Sequence, residues 1–257
     1  MSLFIQNQSE RVALIGSSMS GKTFYLCTKI VPCFQYIHYF GPDYNMPPIE
    51  ECMNKRALIE HHESLEDIAT IMDTCKKEFD LGNALPPQLV ILDDIIDPQF
   101  IKTKLFMSLM STGRHYNLST VIIAHTPNLV ISPYVKKQLT AIVLCDYAPT
   151  AGFKELIEEY YKPMLQNDLE VSHTDRELTK LANNNLASIF KYRYGKLILR
   201  PLDSTWSVDF PSNKKEKGSS YKDTPVCSIN IIRRSVTRDK AFLESTKGNE
   251  TETSLEQ

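Results

Sequence analysis

Short runs of aliphatic and aromatic residues recur along the first 150 residues and predict the strands of a sheet. Most of these runs show no alternation of apolar and polar positions, which is typical of strands buried on both faces of a parallel sheet. The predicted strands are residues 11–15, 35–40, 57–60, 89–92, 119–124 and 141–145.

Helical patterns occupy several of the intervals between these runs. Residues 24–30 can form a helix that ends before Pro32, and further helices are predicted for residues 64–82, 99–111 and 153–161. Alternating strands and helices predict the α/β class, with a mainly parallel central sheet that is covered by helices on both faces.

The pattern turns helical from Thr150. Thr174 and Glu177 have the spacing of a capping box and predict a second short helix. Residues 188–193 and 196–200 are both rich in apolar and aromatic residues and flank Tyr194-Gly195. This arrangement predicts a β-hairpin.

Apolar residues become sparse beyond residue 202. We therefore predict a domain at residues 1–202 and a polar, partly basic tail at 203–257 that is largely flexible. The basic residues of this tail are either simply solvated or hold DNA phosphates by releasing counterions. They include Lys214, Lys215, Lys217, Arg233, Arg234 and Arg238.

Composition and charge bear on whether the protein binds nucleic acid or crosses a membrane. The chain has 257 residues, 42% of them hydrophobic, and a net charge of −2, so nucleic-acid binding would require local basic patches. No apolar run reaches the roughly 20 residues that cross a bilayer, and no signal sequence is recognisable. We expect an intracellular protein without a transmembrane segment, whose six scattered cysteines are reduced thiols.

A phosphate-binding loop follows the first predicted strand. The segment fits the pattern G-x-x-x-x-G-K-[ST] and stands between a strand and a helix, which is the context that the pattern requires. Its lysine would reach the β- and γ-phosphates of a nucleotide, and its threonine hydroxyl would bind Mg²⁺. The predicted nucleotide-binding residues are Gly16, Ser17, Ser18, Met19, Ser20, Gly21, Lys22 and Thr23.

Two carboxylates end the apolar strand at residues 89–92. Asp93 and Asp94 stand at its carboxyl end, which is where open parallel sheets bind ligands. We predict that Asp93 belongs to the Mg²⁺ shell and that Asp94 orients or deprotonates the attacking water.

Histidines supply the remaining candidates. His125 ends the strand at 119–124 on the same sheet edge and either senses the γ-phosphate or has no such role. His38 is interpreted as a core or edge residue. His61-His62 beside Glu63 could suggest a metal site, but no third ligand of suitable spacing follows, so an exposed polar turn is the preferred interpretation.

These motifs resemble a known family. The phosphate loop, the strand ending in Asp93-Asp94 and the segment Gly113-Arg114-His115-Tyr116-Asn117 before a strand are similar to the genome-packaging ATPases of large nucleocytoplasmic DNA viruses. These enzymes are poxvirus-type members of the FtsK/HerA superfamily of P-loop proteins. The resemblance covers about residues 10–150. One departure is His125, because the superfamily usually has glutamine there.

The resemblance implies more than the motifs do. It implies a RecA-like P-loop fold with an additional strand and a catalytic glutamate or aspartate, with ATP and Mg²⁺ as cofactors. It also implies a hexameric or pentameric ring that drives double-stranded DNA into a preformed capsid, docked on capsid or membrane proteins at the packaging vertex. The implied location is the host cytoplasm at the site of virus assembly, with the virion as a second location.

Arg114 takes its candidate role from the same resemblance. It would reach into a neighbouring subunit's site as an arginine finger, or it is a surface arginine at a helix end. Two other functions stay open. A nucleotide kinase would need an arginine-rich lid that residues 115–175 do not supply, and a scaffold would bind nucleotide only to assemble.

Overall fold

The computed structural model describes residues 9–94, 98–129, 132–148, 150–169, 173–192, 194–210 and 230–232. In these parts of the chain no helix is both long and apolar enough to cross a bilayer.

A nine-stranded sheet forms the centre of the molecule. Its strands are β1 (Arg11–Ile15), β2 (Tyr36–Phe40), β3 (Leu58–His62), β4 (Gln88–Asp93), β5 (Leu118–Ala124), β6 (Ala141–Leu144), β7 (Lys196–Arg200), β8 (Thr205–Phe210) and β9 (Asn230–Ile232). They follow the spatial order β3-β2-β4-β5-β1-β6-β7-β8-β9. The pairings among β1 to β6 are parallel, and β7, β8 and β9 extend the sheet with antiparallel pairings. The predicted mainly parallel sheet is confirmed.

Eight α-helices connect or follow these strands in the described residues. They are α1 (Lys22–Tyr25), α2 (Met46–Cys52), α3 (Asp67–Asp80), α4 (Lys104–Thr112), α5 (Pro133–Lys136), α6 (Ala151–Leu156), α7 (Lys162–Asp168) and α8 (Asp175–Phe190). One-turn π segments continue α1 over Leu26–Ile30 and α6 over Ile157–Tyr161, and short 3₁₀ turns link other elements.

The helices cover both faces of the sheet, as predicted. Alternate residues of β1 point to opposite faces: Val12 and Leu14 pack with α1, its π segment and α2, whereas Ala13 and Ile15 pack with α3, α4 and α6 to α8. All four side chains are fully buried. The strand that carries the phosphate loop is therefore held from both sides, which fixes the position of the loop.

The order of the strands matters for the chemistry. β5 lies between β1, which leads into the phosphate loop, and β4, which ends in Asp93. Because these strands are parallel, their carboxyl ends meet at one edge of the sheet. The loop and the acidic pair thus come to the same edge although β4 and β1 are not neighbours.

The predicted hairpin is wrong. Residues 188–190 belong to α8, a 16-residue helix that begins with the predicted capping box at Thr174, and β7 pairs with β6 and β8 instead. Leu178, Ala182 and Leu186 are buried at helical spacing. The burial of this face stabilises the helix as far as residues 188–190, although the aromatic residues there favour a strand.

The structure also bears on the predicted turn at His61-His62 and on the predicted tail. His61 and His62 are the last residues of β3 and do not form an exposed turn. The predicted boundary at residue 202 falls between β7 and β8, so two strands of the sheet, β8 and β9, lie in the predicted tail. Residues 211–229 and 233–257, with the tail's lysines and arginines named above, lie outside the described residues, so the division into a domain and a tail stays a prediction.

Candidate active site

The phosphate loop has the backbone that its glycines permit. Gly21 adopts φ 87°, in the left-handed region where glycine is favoured, and a Cβ there would collide with the Tyr194 ring. At Gly16, a Cβ would lie 2.5 Å from Ser20 Oγ. Three of the four residues between these glycines, Ser17 to Met19, are exposed. The loop therefore presents its backbone to solvent directly before α1, as a phosphate cradle requires.

Lys22 holds the loop from inside. Its Nζ donates hydrogen bonds to the carbonyl oxygens of Gly16, at 2.7 Å, and Ser17, at 3.1 Å. Its side chain is buried, and this burial lowers the pKa of the ammonium group, with the Asp94 carboxylate opposing the shift. An ammonium in this place supplies a fixed positive charge at the centre of the loop.

His125 connects Lys22 to the acidic pair. Its Nδ1 lies 3.2 Å from Lys22 Nζ, and its Nε2 lies 2.5 Å from Asp94 Oδ2. An ammonium can only donate and a carboxylate can only accept. The neutral imidazole with its proton on Nε2 satisfies both contacts at once, so Lys22 at the start of α1, His125 after β5 and Asp94 after β4 form one polar chain.

Asp94 stands in a constrained position. Its φ is 56°, which asparagine and aspartate tolerate better than other residues, and its backbone N–H donates to the Ile123 carbonyl at 3.2 Å. The side chain remains about one-third exposed. It is thus fixed by its backbone and by His125, while solvent still reaches it.

Asp93 is the buried member of the pair. Its Oδ2 accepts hydrogen bonds from the Tyr39 hydroxyl at 2.9 Å and from Asn45 Nδ2 at 2.8 Å. Burial raises the pKa of this carboxyl, and the two hydrogen bonds lower it. Both bonds fall on Oδ2, which leaves Oδ1 for a ligand. A carboxylate whose other oxygen is held by hydrogen bonds is a suitable ligand for Mg²⁺, which prefers oxygen atoms.

The structure brings most of the predicted site residues together. Residues 16–23, Asp93, Asp94 and His125 lie at the carboxyl edge of the parallel strands. Arg114 does not join them. It is exposed in a 3₁₀ turn before β5, at the opposite end of a strand that is about 20 Å long.

Comparison with known proteins decides the family. The family model for the poxvirus A32 protein matches residues 3–151, which is more than half of the chain. The chain belongs to the poxvirus A32 protein family. The poxvirus-type family to which the sequence motifs point is therefore confirmed. No match was found among curated protein sequences.

Solved structures similar to this A32-family protein share its fold. One is B204, the DNA-packaging ATPase from Sulfolobus turreted icosahedral virus, with a TM-score of 0.56, 13% identity, and coverage of 81% of this chain and 100% of that chain. Another is the genome-packaging NTPase B204 from Sulfolobus turreted icosahedral virus 2 in complex with AMPPCP. Its TM-score is 0.52 and its identity 14%, and the match covers 79% of this chain and 98% of that chain.

Four side chains of this A32-family protein contact the site although sequence reasoning did not find them. Tyr39 and Asn45 bind Asp93, as described above. Asp146 Oδ2 accepts a hydrogen bond from Ser17 Oγ at 2.8 Å, and Lys196 Nζ donates to the Ser20 carbonyl at 2.8 Å. Only Asp146 had a usable signal, because it follows a predicted strand in the way that Asp93 does.

The Tyr39→Phe substitution tests the predicted role of Asp93 as a ligand of Mg²⁺. Removing the hydroxyl leaves the buried carboxylate without one of its donors, so we expect Mg²⁺ to bind about tenfold more weakly. The lost hydrogen bond also lowered the pKa of Asp93. The pKa should therefore rise further, and the acid limb of Mg²⁺-dependent ATP hydrolysis should move to higher pH. Measurement of ATPase rate against Mg²⁺ concentration and pH gives both effects.

Tyr36→Phe is the matched control, since it makes the same change on the same strand at an exposed position. It should leave both the Mg²⁺ dependence and the pH profile unchanged. Equal profiles for Tyr39→Phe and the wild type would contradict the assignment of Tyr39 as a residue that orients Asp93 for the metal.

Proposed function

We propose that this A32-family protein is an ATP-hydrolysing motor that moves double-stranded viral DNA into a preformed capsid. The observation that carries the hydrolytic part is the polar chain Lys22–His125–Asp94, which links the lysine of the phosphate loop to the acidic pair. The packaging part is supported by membership of the A32 family and by the fold shared with B204. Complexes of a B204 protein with AMPPCP and ATP-γS support the choice of ATP.

The loop residues bind and orient the triphosphate. Backbone N–H groups of residues 16–23 contact its oxygens, and Lys22 stabilises the charge that develops as the terminal phosphoryl group leaves. Thr23 Oγ1 and Asp93 Oδ1 would hold Mg²⁺, which neutralises charge between the β- and γ-phosphates when bound. His125 contacts both Lys22 and Asp94 and holds the two side chains in their relative positions.

Asp94 acts on the attacking water. One of its oxygens accepts from His125, so the other remains to accept a hydrogen bond from water and orient it toward the γ-phosphorus. β5 is an additional strand between β1, which leads into the phosphate loop, and β4, which leads into the acidic pair. This strand order fits a P-loop protein of the additional-strand class, with Asp94 as its catalytic acidic residue. His125 would take the role of the sensor glutamine, since it contacts both Lys22 and Asp94.

Arg114 is proposed to act in a neighbouring subunit. Its exposed position at the far end of β5 cannot serve its own phosphate loop. In a ring of five or six subunits, that end of one copy would face the loop of the next. Arg114→Ala should then lose hydrolysis but keep nucleotide binding, and mixing it with a Lys22→Met partner should restore part of the rate.

The remaining partners belong to the same proposal. Residues 203–257 would follow the ATPase domain at 1–202 as a tail whose strands β8 and β9 join the sheet, with basic groups available for DNA phosphates. Capsid or membrane proteins at the packaging vertex would hold the ring. The place of action would be the host cytoplasm during virus assembly, and the virion if the motor stays on the capsid.

An ATPase assay with and without duplex DNA, run beside a measurement of oligomer mass, tests the proposal. We expect hydrolysis to rise several-fold with duplex DNA, and the stimulation to fall with salt because phosphate contacts release counterions. The mass should correspond to five or six copies. A monomer whose hydrolysis ignores DNA, or phosphate transfer to a nucleoside acceptor in place of water, would contradict it.

A further inference from the structure

Three metal-ligating side chains meet at the edge of the sheet away from β1. His38 lies on β2, and its register partner on β3 is Glu60. His62 is two residues further along β3 and therefore points to the same face as Glu60. His62 is also stacked on Phe40, which belongs to the face covered by α3 and α4. The three side chains thus converge on one side of two neighbouring parallel strands.

Their ligating atoms form a nearly regular triangle. His38 Nδ1 lies 3.3 Å from His62 Nε2 and 3.5 Å from Glu60 Oε2, and His62 Nε2 lies 3.7 Å from the same oxygen. In a tetrahedral zinc site with bonds of about 2.0–2.1 Å, the ligand atoms are separated by roughly 3.3–3.4 Å. The triangle has almost the size that such an ion requires.

The outer nitrogens of both rings have acceptors. His38 Nε2 lies 3.1 Å from Gln88 Oε1, and His62 Nδ1 lies 3.4 Å from Asp67 Oδ2. A neutral imidazole carries one proton, and these acceptors favour the tautomers that carry it on His38 Nε2 and on His62 Nδ1. The atoms that face one another are then two nitrogen lone pairs and a carboxylate oxygen. Three acceptors this close need a cation, which is a metal ion or an additional proton.

We propose that His38, Glu60 and His62 bind a divalent transition-metal ion of the Zn²⁺ class. Two imidazoles and one carboxylate suit zinc, whereas Mg²⁺ and Ca²⁺ prefer oxygen ligands alone. The paired outer nitrogens match the second shell that orients histidine ligands in metal sites. Glu60 is 68% exposed, so water can reach the fourth position.

The ion would fasten the edge of the sheet. β3 is an edge strand, and its ligands Glu60 and His62 would be tied through the ion to His38 on β2. The second shell extends this connection to Gln88 on β4 and to Asp67 at the start of α3. Edge strands with unpaired backbone are prone to detach or to pair with other chains. An ion that links β3 to β2 would oppose both. The proposal does not depend on the function proposed for the nucleotide site.

The chain offers a matched control one residue away. His61 is on the same strand but points to the other face, where its Nε2 lies 2.9 Å from the Gly41 carbonyl and its Nδ1 lies 3.1 Å from Asp43 Oδ1. His61→Ala therefore removes a histidine without touching the triangle. Glu60→Gln removes a ligand charge at an exposed position, so this variant should keep the fold even if His62→Ala does not.

Metal titration of the full chain tests the proposal. The chelator-treated protein is titrated with Zn²⁺ and with Co²⁺ under saturating Mg²⁺, which blocks the nucleotide site. We expect one ion per chain in the wild type and in His61→Ala, and binding weakened at least about 100-fold in His62→Ala and Glu60→Gln. Zn²⁺ should raise the melting temperature of the wild type and His61→Ala alone.

Co²⁺ identifies the ligands. A tetrahedral visible spectrum without thiolate charge-transfer bands is expected, which separates this site from binding by cysteines. The proposal is overturned if the wild type binds no ion tightly. It is equally overturned if Glu60→Gln binds as tightly as the wild type or if thiolate bands accompany the bound ion.

Discussion

Lys22→Met is expected to lower the turnover of ATP hydrolysis by about 10²–10³-fold, the usual cost of removing one preorganised charge from a phosphoryl-transfer site. Methionine keeps the length of the buried stem and loses only the ammonium. The charge that Lys22 directs into the loop is then gone, and the carbonyls of Gly16 and Ser17 lose their common donor. Nucleotide affinity should fall as well, since the lysine contacts the phosphates in the ground state.

Steady-state ATPase rates and the binding of a fluorescent ATP analogue measure the two effects separately. Lys76→Ala, an exposed lysine on α3, is the control and should behave as the wild type. Retention of the wild-type rate by Lys22→Met would contradict the assignment of residues 16–23 as the nucleotide site.

Asp94→Asn is expected to reduce turnover by about 10²–10⁴-fold with nucleotide binding preserved, as for loss of a general base. Asparagine tolerates the left-handed backbone at φ 56°, so the change removes the carboxylate without straining the chain. The His125 contact can persist through the amide oxygen. Loss of rate therefore reports on the water and not on the fold, and single-turnover hydrolysis of bound ATP is the direct measurement.

His125→Gln provides the comparison for Asp94→Asn. If His125 acts by positioning Asp94, the double variant should be no slower than Asp94→Asn alone, because the two residues form one unit. Independent, additive losses would show that His125 contacts the phosphate by itself. Full hydrolysis by Asp94→Asn would remove Asp94 from the mechanism.

Much of the site was predictable because its signals are local. Gly16 to Thr23 follow an apolar strand and precede a helix, and Asp93 and Asp94 end another apolar strand. Parallel strands bring such ends to one edge of the sheet, so their proximity followed from the fold class. The sheet itself was predictable because short, uninterrupted apolar runs alternate with helical segments, which is typical of strands buried on both faces of a parallel sheet.

The remaining contacts depend on strand order and register, which one sequence does not reveal. Tyr39 reaches Asp93 because β2 and β4 are neighbours, and Lys196 reaches Ser20 across 176 positions of chain. His38 and Glu60 meet through the pairing of β2 with β3. The spacing of 22 residues between them matches no metal motif. In α8, tertiary burial outweighed the local preference of residues 188–190 for a strand.

A structure of the protein with a non-hydrolysable ATP analogue and Mg²⁺ tests the central assignment most directly. We expect the triphosphate within residues 16–23, with Lys22 Nζ on the β- and γ-phosphates and the ion between Thr23 and Asp93. Asp94 should lie on the far side of the γ-phosphorus, with a water between them. An analogue bound elsewhere, or an Asp94 carboxylate that faces away from the γ-phosphate, would contradict it.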